Sequence, residues 1–249
     1  MKKAMAILGL ALGALLAQAT AAAEITVASA GAIQPGLAAA AAAFERETGH
    51  AVKITYATAP QIAARVGGGE MFDVVIAPPA VLDELARAGK VGERVTVGRV
   101  GVGVSVRQGA PVPDISSAEA LKRSLLAAES LVFNRASTGV YLDSLFKSMG
   151  IFEQVEGKIT RYADGTAVHE HVLKGRGREI GFGAIPDILL HRGEGLRLVG
   201  PLPAEVQNYT SYAAAPMTAA PSAEVARNFV RYLGSAAAKS LFTAAGIEP

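Results

Sequence analysis

The sequence predicts an α/β protein of two lobes, each a mainly parallel sheet flanked by helices, joined by two crossing strands. Apolar runs of strand length alternate with helical periods along most of the chain, an order that implies parallel strands covered on both faces. Val95–Arg107 carries valine at nearly every second position with glycines between, yet it is too long for an ordinary strand. It is therefore expected to run out of one lobe and into the other, with glycine permitting a bend. A second alternating segment, Gln207–Ala215, brings the chain back.

The elements follow in order. A strand is predicted over Glu24–Ser29, then a helix over Pro35–Thr48 with proline in its first turn and Gly49 at its end. Val52–Tyr56 reads as a strand, Pro60–Val66 as a helix, Asp73–Ala77 as a short buried strand, and Pro79–Ala88 as a helix closed by Gly89. Beyond the long strand come helix Ser117–Ala128, strand Leu131–Asn134, helix Thr138–Met149, strand Lys158–Arg161 and helix Thr166–Lys174. Strand Glu179–Phe182, helix Pro186–His191 and strand Leu196–Val199 complete the middle block, and helices Ser222–Leu233 and Ala236–Ala245 end the chain. Lobe one is expected to comprise residues 24–101 and 207–249, and lobe two residues 102–206.

The start of the chain reads as a leader. Lys2 and Lys3 precede an apolar run, Ala4–Leu16, and the small residues Ala21-Ala22-Ala23 precede Glu24, so residues 1–23 have the form of a secretory signal peptide. The run is too short to span a bilayer, and there is no cysteine for a disulfide framework or a lipid anchor. A periplasmic protein without a membrane anchor, acting as a monomer, is expected. The formal charge of +2 is carried by Lys2 and Lys3, so the remainder is near neutral. With no basic stripe, nucleic acid is not an expected partner. No P-loop, nucleophile elbow or dinucleotide fingerprint is present, and no cofactor is expected.

The chemistry lies in the turns that follow strands. Phe133-Asn134-Arg135-Ala136-Ser137-Thr138-Gly139-Val140-Tyr141 carries an apolar run into a helix whose first turn is Ser, Thr and Gly. Unpaired backbone N–H groups and the positive end of the helix dipole meet there, which suits an anion. Gly139 is expected to let a ligand approach the backbone, and the Arg135 guanidinium suits a carboxylate. Ser29-Ala30-Gly31-Ala32, Ala57-Thr58-Ala59 and Gly165-Thr166-Ala167 follow other strands in the same way. Two lobes closing on a ligand held by such turns give a small anionic ligand as the expected partner.

These segments resemble the periplasmic molybdate-binding-protein-like family, type II solute-binding proteins of ABC importers. The resemblance rests on Val27-Ala28-Ser29-Ala30-Gly31, Gly67–Ala77, Thr138-Gly139-Val140-Tyr141, Glu179-Ile180-Gly181-Phe182 and Ala244–Ile247, and it covers nearly the whole chain after the leader. It implies the two-lobed type II fold and an importer permease as partner. It also implies ligand donors in the first turn (Ser29, Gly31, Ala32), the second (Thr58, Ala59), the third (Ser137, Thr138, Gly139), the fourth (Gly165, Thr166), and at the position of Ala184. Ala32 and Ala184 stand where the family has hydroxyls, and losing two donors disfavours a bare dianion. An organic carboxylate is the expected ligand, molybdate the lesser one.

Within the family the chain is similar to a branch that also holds aconitate isomerase, through Ala136–Leu142, Arg107-Gln108-Gly109-Ala110-Pro111 and Leu198-Val199-Gly200. That resemblance implies an alternative, an allylic proton shift between cis- and trans-aconitate, which needs a general base. His169 is the first candidate, with Tyr141 and Glu170 behind it. His169 and His171, two apart on a helix, point to different sides, so they make no zinc pair, and both are expected at the surface. Ser144-Leu145-Phe146-Lys147 mimics a penicillin-binding motif but sits mid-helix without its partners.

Overall fold

The computed structural model describes residues 22–249; the expected leader lies outside them except for Ala22 and Ala23. Strands β1 (Glu24–Ala30), β2 (Ala51–Ala57) and β3 (Val74–Ala77) are parallel, with β1 in the middle. β3 pairs antiparallel with β9 (Tyr209–Pro216), which pairs with the first half of β4 (Val95–Arg107). The second half of β4 pairs antiparallel with β7 (Glu179–Ala184) and β8 (Leu196–Pro201). β7 in turn lies parallel to β5 (Ser130–Asn134), and β5 to β6 (Ile159–Tyr162). Each lobe thus has a parallel triplet, and the antiparallel strands β9 and β4 between them carry the hydrogen bonding through as one curled nine-stranded sheet, in the order β2-β1-β3-β9-β4-β7-β5-β6 with β8 beside β4.

β4 changes partners between Gly101, opposite Tyr209, and Val102, opposite Ala184. At that step no strand residue faces Val102 on the β9 side, and the Gln207 side chain takes the place of one. Its Oε1 accepts from Val102 N at 2.9 Å and its Nε2 donates to Val102 O at 3.1 Å. The bend expected in the long strand is a bulge between Thr96 and Gly98.

Helices α1 (Gln34–Thr48), α2 (Ala59–Gly67), α3 (Pro79–Arg87), α9 (Ala223–Leu233) and α10 (Ala236–Ala244) cover the first sheet. Their apolar faces meet β1, β3 and β9 in one core, where Phe44 and Phe229 pack edge to face at 5.0 Å. The second sheet carries α4 (Ala118–Ala127), α5 (Ser137–Ser148) and the short α6 (Phe152–Val155) on one face. Phe133, Phe146 and Phe182 form an edge-to-face cluster there, at 6.1 to 6.4 Å. On the other face α7 (Gly165–Lys174) and α8 (Ile185–Leu190) pack Val168, Val172 and Ile188 on Val132 and Leu196. α6 was not expected, because a single turn between two glycines is too short for a helical period to show.

Asp73 pins lobe one together. The residue is 3% exposed, and it sits just ahead of β3 rather than in it. Its Oδ2 accepts from Thr26 N at 2.8 Å and Thr26 Oγ1 at 3.0 Å, and its Oδ1 from Ser222 N at 3.0 Å. Asp73→Ala leaves two backbone amides without that partner, and we expect it to lower the unfolding free energy by about 3 kcal/mol, measured as a shift in the denaturant midpoint. An unchanged midpoint would mean that water replaces the carboxylate freely.

Candidate functional site

A cavity of about 300 Å³ lies at the carboxyl ends of the parallel strands, where an open α/β sheet splays and the following helices present their starts. Ala30 and Gly31 line it after β1, Ala57 to Ala59 after β2, Asn134 and Ala136 to Thr138 after β5, Asp164 to Thr166 after β6, and Ala184 with Asp187 after β7. The crossing strands supply the floor, through Val100-Gly101-Val102 of β4 and Thr210 and Tyr212 of β9.

The helix starts differ in which amides they leave for a ligand. At α5 no side chain caps the first turn; Asn134 Oδ1 takes only the Ala136 N–H, at 2.9 Å. At α7 the Asp164 carboxylate caps Ala167 N at 3.0 Å, ahead of which stand Gly165 and Thr166. At α2 both the N–H and the hydroxyl of Thr58 go to Gln61 Oε1, at 2.8 and 2.9 Å, so Thr58 offers the cavity an acceptor rather than a donor.

Nine of the residues singled out in the sequence line this cavity: Gly31, Ala32, Thr58, Ala59, Ser137, Thr138, Gly165, Thr166 and Ala184. Ser29, Arg135, Gly139, Tyr141 and His169 are not among the lining residues. Ser29 is fully buried and its hydroxyl turns to Ala30 O at 3.2 Å. Arg135 is exposed. The Tyr141 hydroxyl donates to Val206 O at 2.6 Å, tying α5 to the segment before β9. Gly139 serves packing rather than ligand approach, because a Cβ there would overlap the carbonyl oxygen of Asn134. The expectation of surface histidines needs correction. His169 is 1% exposed, since α7 lies flat on the sheet and turns this residue inward against Gly183 of β7. His171, half-buried, meets the Tyr162 hydroxyl at 2.9 Å.

The sequence reading missed Tyr56, Tyr212, Thr210 and Asp187. Burial pushes both tyrosines up to about 12. For Tyr212 the Asp187 carboxylate adds to the shift and the neighbouring Ser137 hydroxyl opposes it. Both phenols keep their protons at any ordinary pH; that of Tyr56 donates to Gln34 O at 3.5 Å. Tyr212 sits on the inward face of an alternating strand, a signal the pattern carried; Asp187 reads in sequence as a routine acid in a helix first turn.

Asp187 Oδ2 lies 3.0 Å from His169 Nε2, and its Oδ1 lies 3.9 Å from His191 Nε2. Gly165 leaves room for this carboxylate, because a Cβ there would meet Asp187 Oδ2 and displace it. Ligand atoms of His169, Asp187 and His191 fall within 4.8 Å of one another, and Glu194 backs His191 Nδ1 at 3.1 Å. A cation on His169 Nε2 would force the ring proton onto Nδ1, which is buried with no hydrogen-bond partner among the described residues. Metal-bound histidines ordinarily place that second N–H on an acceptor. The trio therefore fits a hydrogen-bonded set, in which His169 carries its proton on Nε2 and donates it to Asp187.

A family model described as bacterial extracellular solute-binding protein matches residues 25–248. The chain is 34% identical over 256 residues to a protein of Pseudomonas sp. named aconitate isomerase, covering 96% of this chain and 95% of that one. Among solved structures, the Azotobacter vinelandii periplasmic molybdate-binding protein is similar, with a TM-score of 0.74 at 18% identity, over 90% of this chain and 99% of that one. The sulfate-binding protein of Mycobacterium tuberculosis matches with a TM-score of 0.74 at 17% identity, over 91% and 87%. These two structures share the type II fold, two α/β lobes about a cleft.

Gly139→Ala tests how the third turn is held. Overpacking against the end of β5 is expected to cost about 2 kcal/mol and to push the start of α5 off the strand. Thermal melting reads the first effect and amide hydrogen exchange at residues 137–140 the second. Wild-type values in both would show that the backbone relaxes without cost.

Proposed function

The chain belongs to the bacterial extracellular solute-binding protein family, and from that premise we propose that it captures a small organic carboxylate in the periplasm for an ABC importer. The lining of the cavity carries this reading. Helix starts from both lobes, two protonated tyrosines and Ser137, Thr138, Thr166 and Thr210 line one space, with Thr210 Oγ1 donating to Ser137 Oγ at 3.3 Å, and no lysine or arginine lines it among the described residues. Such a set attracts an anion through aligned partial charges and neutral donors. A volume of about 300 Å³ lies at the lower end of small-molecule sites, roomier than a tetrahedral oxyanion needs. Methyl groups at Ala32 and Ala184 widen it where the resemblance called for hydroxyls.

The lobes are taken to divide at Gly101–Val102 and Gln207–Asn208, so that 24–101 with 207–249 close on 102–206. The exchange of partners along β4 and the Gln207 bridge to Val102 support a hinge there. A cleaved leader over residues 1–23 would deliver the chain to the periplasm as a monomer, with the permease as partner. Among the described residues no helix is long and apolar enough to cross a membrane.

One observation favours a second reading, catalysis by an allylic proton shift as the name of the Pseudomonas relative suggests. The Asp187 carboxylate lines the cavity with His169 behind it. In that reading Asp187, rather than His169 or Tyr141, takes a proton from a methylene of the bound acid. The C–H electron pair becomes the new double bond, and the old double bond takes up a proton at its far carbon.

Calorimetry and thermal shift against trans-aconitate, citrate, smaller dicarboxylates, molybdate and sulfate separate these readings. A bound carboxylate should stabilise the protein by about 2.7 kcal/mol at roughly 100 times Kd, with molybdate and sulfate weaker. Stabilisation by no anion would overturn the assignment, and micromolar molybdate binding would replace the carboxylate with an oxyanion. Conversion of trans- to cis-aconitate, followed by proton NMR and lost in Asp187→Asn, would establish the enzyme.

A further inference from the structure

Two carboxylates face a cavity read as an anion site, and this conflict of charge says something about the ligand. Asp187, on the first turn of α8, projects into the cavity beside Gly165 and Tyr212. Asp164 lines the same space from the cap of α7, but its Oδ1 is occupied by Ala167 N. Around Asp187 the ionisable neighbours are His169 of α7 on Oδ2, His191 after α8 at 3.9 Å from Oδ1, Glu194 behind His191, and Tyr212 of β9. Among the described residues lining the cavity there is no cationic side chain to offset Asp187.

His169 fixes which oxygen of Asp187 is available. Because Nδ1 has no partner among the described residues, the ring proton is assigned to Nε2; the ring then holds Oδ2 and leaves Oδ1 without a hydrogen bond among the described residues, His191 Nε2 standing 3.9 Å away. An acceptor in an anion site repels every ionised oxygen and attracts only a hydrogen that the ligand brings. We propose that Asp187 makes the cleft selective for proton-bearing acids, anions that present an undissociated carboxyl or a hydroxyl to Oδ1 while their ionised oxygens take the first-turn amides of α5 and α7. An O–H···O⁻ bond of this kind is short and charge-assisted. A site built around such a bond rejects analogues that lack the hydrogen far more strongly than a hydrophobic pocket rejects a misfit. The proposal rests on the reading of the cavity as a carboxylate cleft and names the form of acid it takes. His169 acts as a positioning residue, setting the direction of Oδ1.

The test compares wild type with Asp187→Asn by calorimetry at pH 5 and pH 8. Three probes are used: trans-aconitate, whose only O–H is an undissociated carboxyl; citrate, which keeps its hydroxyl throughout; and sulfate, which is fully ionised at both. Wild type should bind trans-aconitate at least about tenfold more weakly at pH 8 than at pH 5, bind citrate with a smaller loss, and bind sulfate weakly at both. Asp187→Asn should abolish the pH dependence and raise sulfate affinity about tenfold. A pH-independent wild type, or the same loss in the variant, would overturn the proposal. So would sulfate binding that also strengthens at low pH, since the proton would then sit on the protein rather than on the ligand. If neither protein binds any probe at either pH, the carboxylate reading itself fails. Melting curves confirm that the variant folds; Asp187→Ser, smaller and also uncharged, repeats the comparison if it does not.

Discussion

Taking an anion out of water costs more than any single hydrogen bond returns, and on the proposed reading the architecture of this chain answers that cost with no cationic side chain lining the cavity among the described residues. The compensation comes from backbone. Parallel strands end at one edge, each hands the chain to a helix, and the helix starts bring unpaired N–H groups to a common space. The antiparallel crossing strands matter for the same reason. They place Thr210 and Tyr212 under the cleft, where β4 passes from β9 at Gly101 to β7 at Val102.

The cleft depends on tight packing behind it. Gly139 allows α5 to begin against the Asn134 carbonyl, and Gly165 allows α7 to begin against Asp187. In both places glycine serves contact between elements, so the amides nearby are held by the fold before any ligand arrives. Burial keeps the Tyr56 and Tyr212 phenols protonated, which makes them donors of constant character. Asp187 stands apart there as a carboxylate whose Oδ1 accepts no hydrogen bond among the described residues, whereas the Asp164 carboxylate caps Ala167 N.

Much of the fold was legible in the sequence because period and punctuation agreed there. The alternation of strand and helix, the long valine-rich strand and its returning partner all appear close to their predicted positions. The strand-to-helix turns were legible as well, since small residues after an apolar run mark a helix start. Side-chain direction was not legible. Ser29 and Gly139 belong to the right turns but face the core, and His169, read as a surface residue, is buried because α7 packs flat on its sheet. Asp187 and Tyr212 were missed because their meaning depends on neighbours some 18 to 75 residues away, Gly165 and His169 for one and Ser137 for the other, and no local pattern reports such pairs.

A crystal structure of the protein with trans-aconitate tests the central claim most directly. The account predicts ligand oxygens about 2.7–3.1 Å from first-turn amides of both α5 and α7, one further oxygen on Asp187 Oδ1, and no lysine or arginine in contact. A ligand held by an arginine or lysine side chain, or seated away from these helix starts, would contradict it.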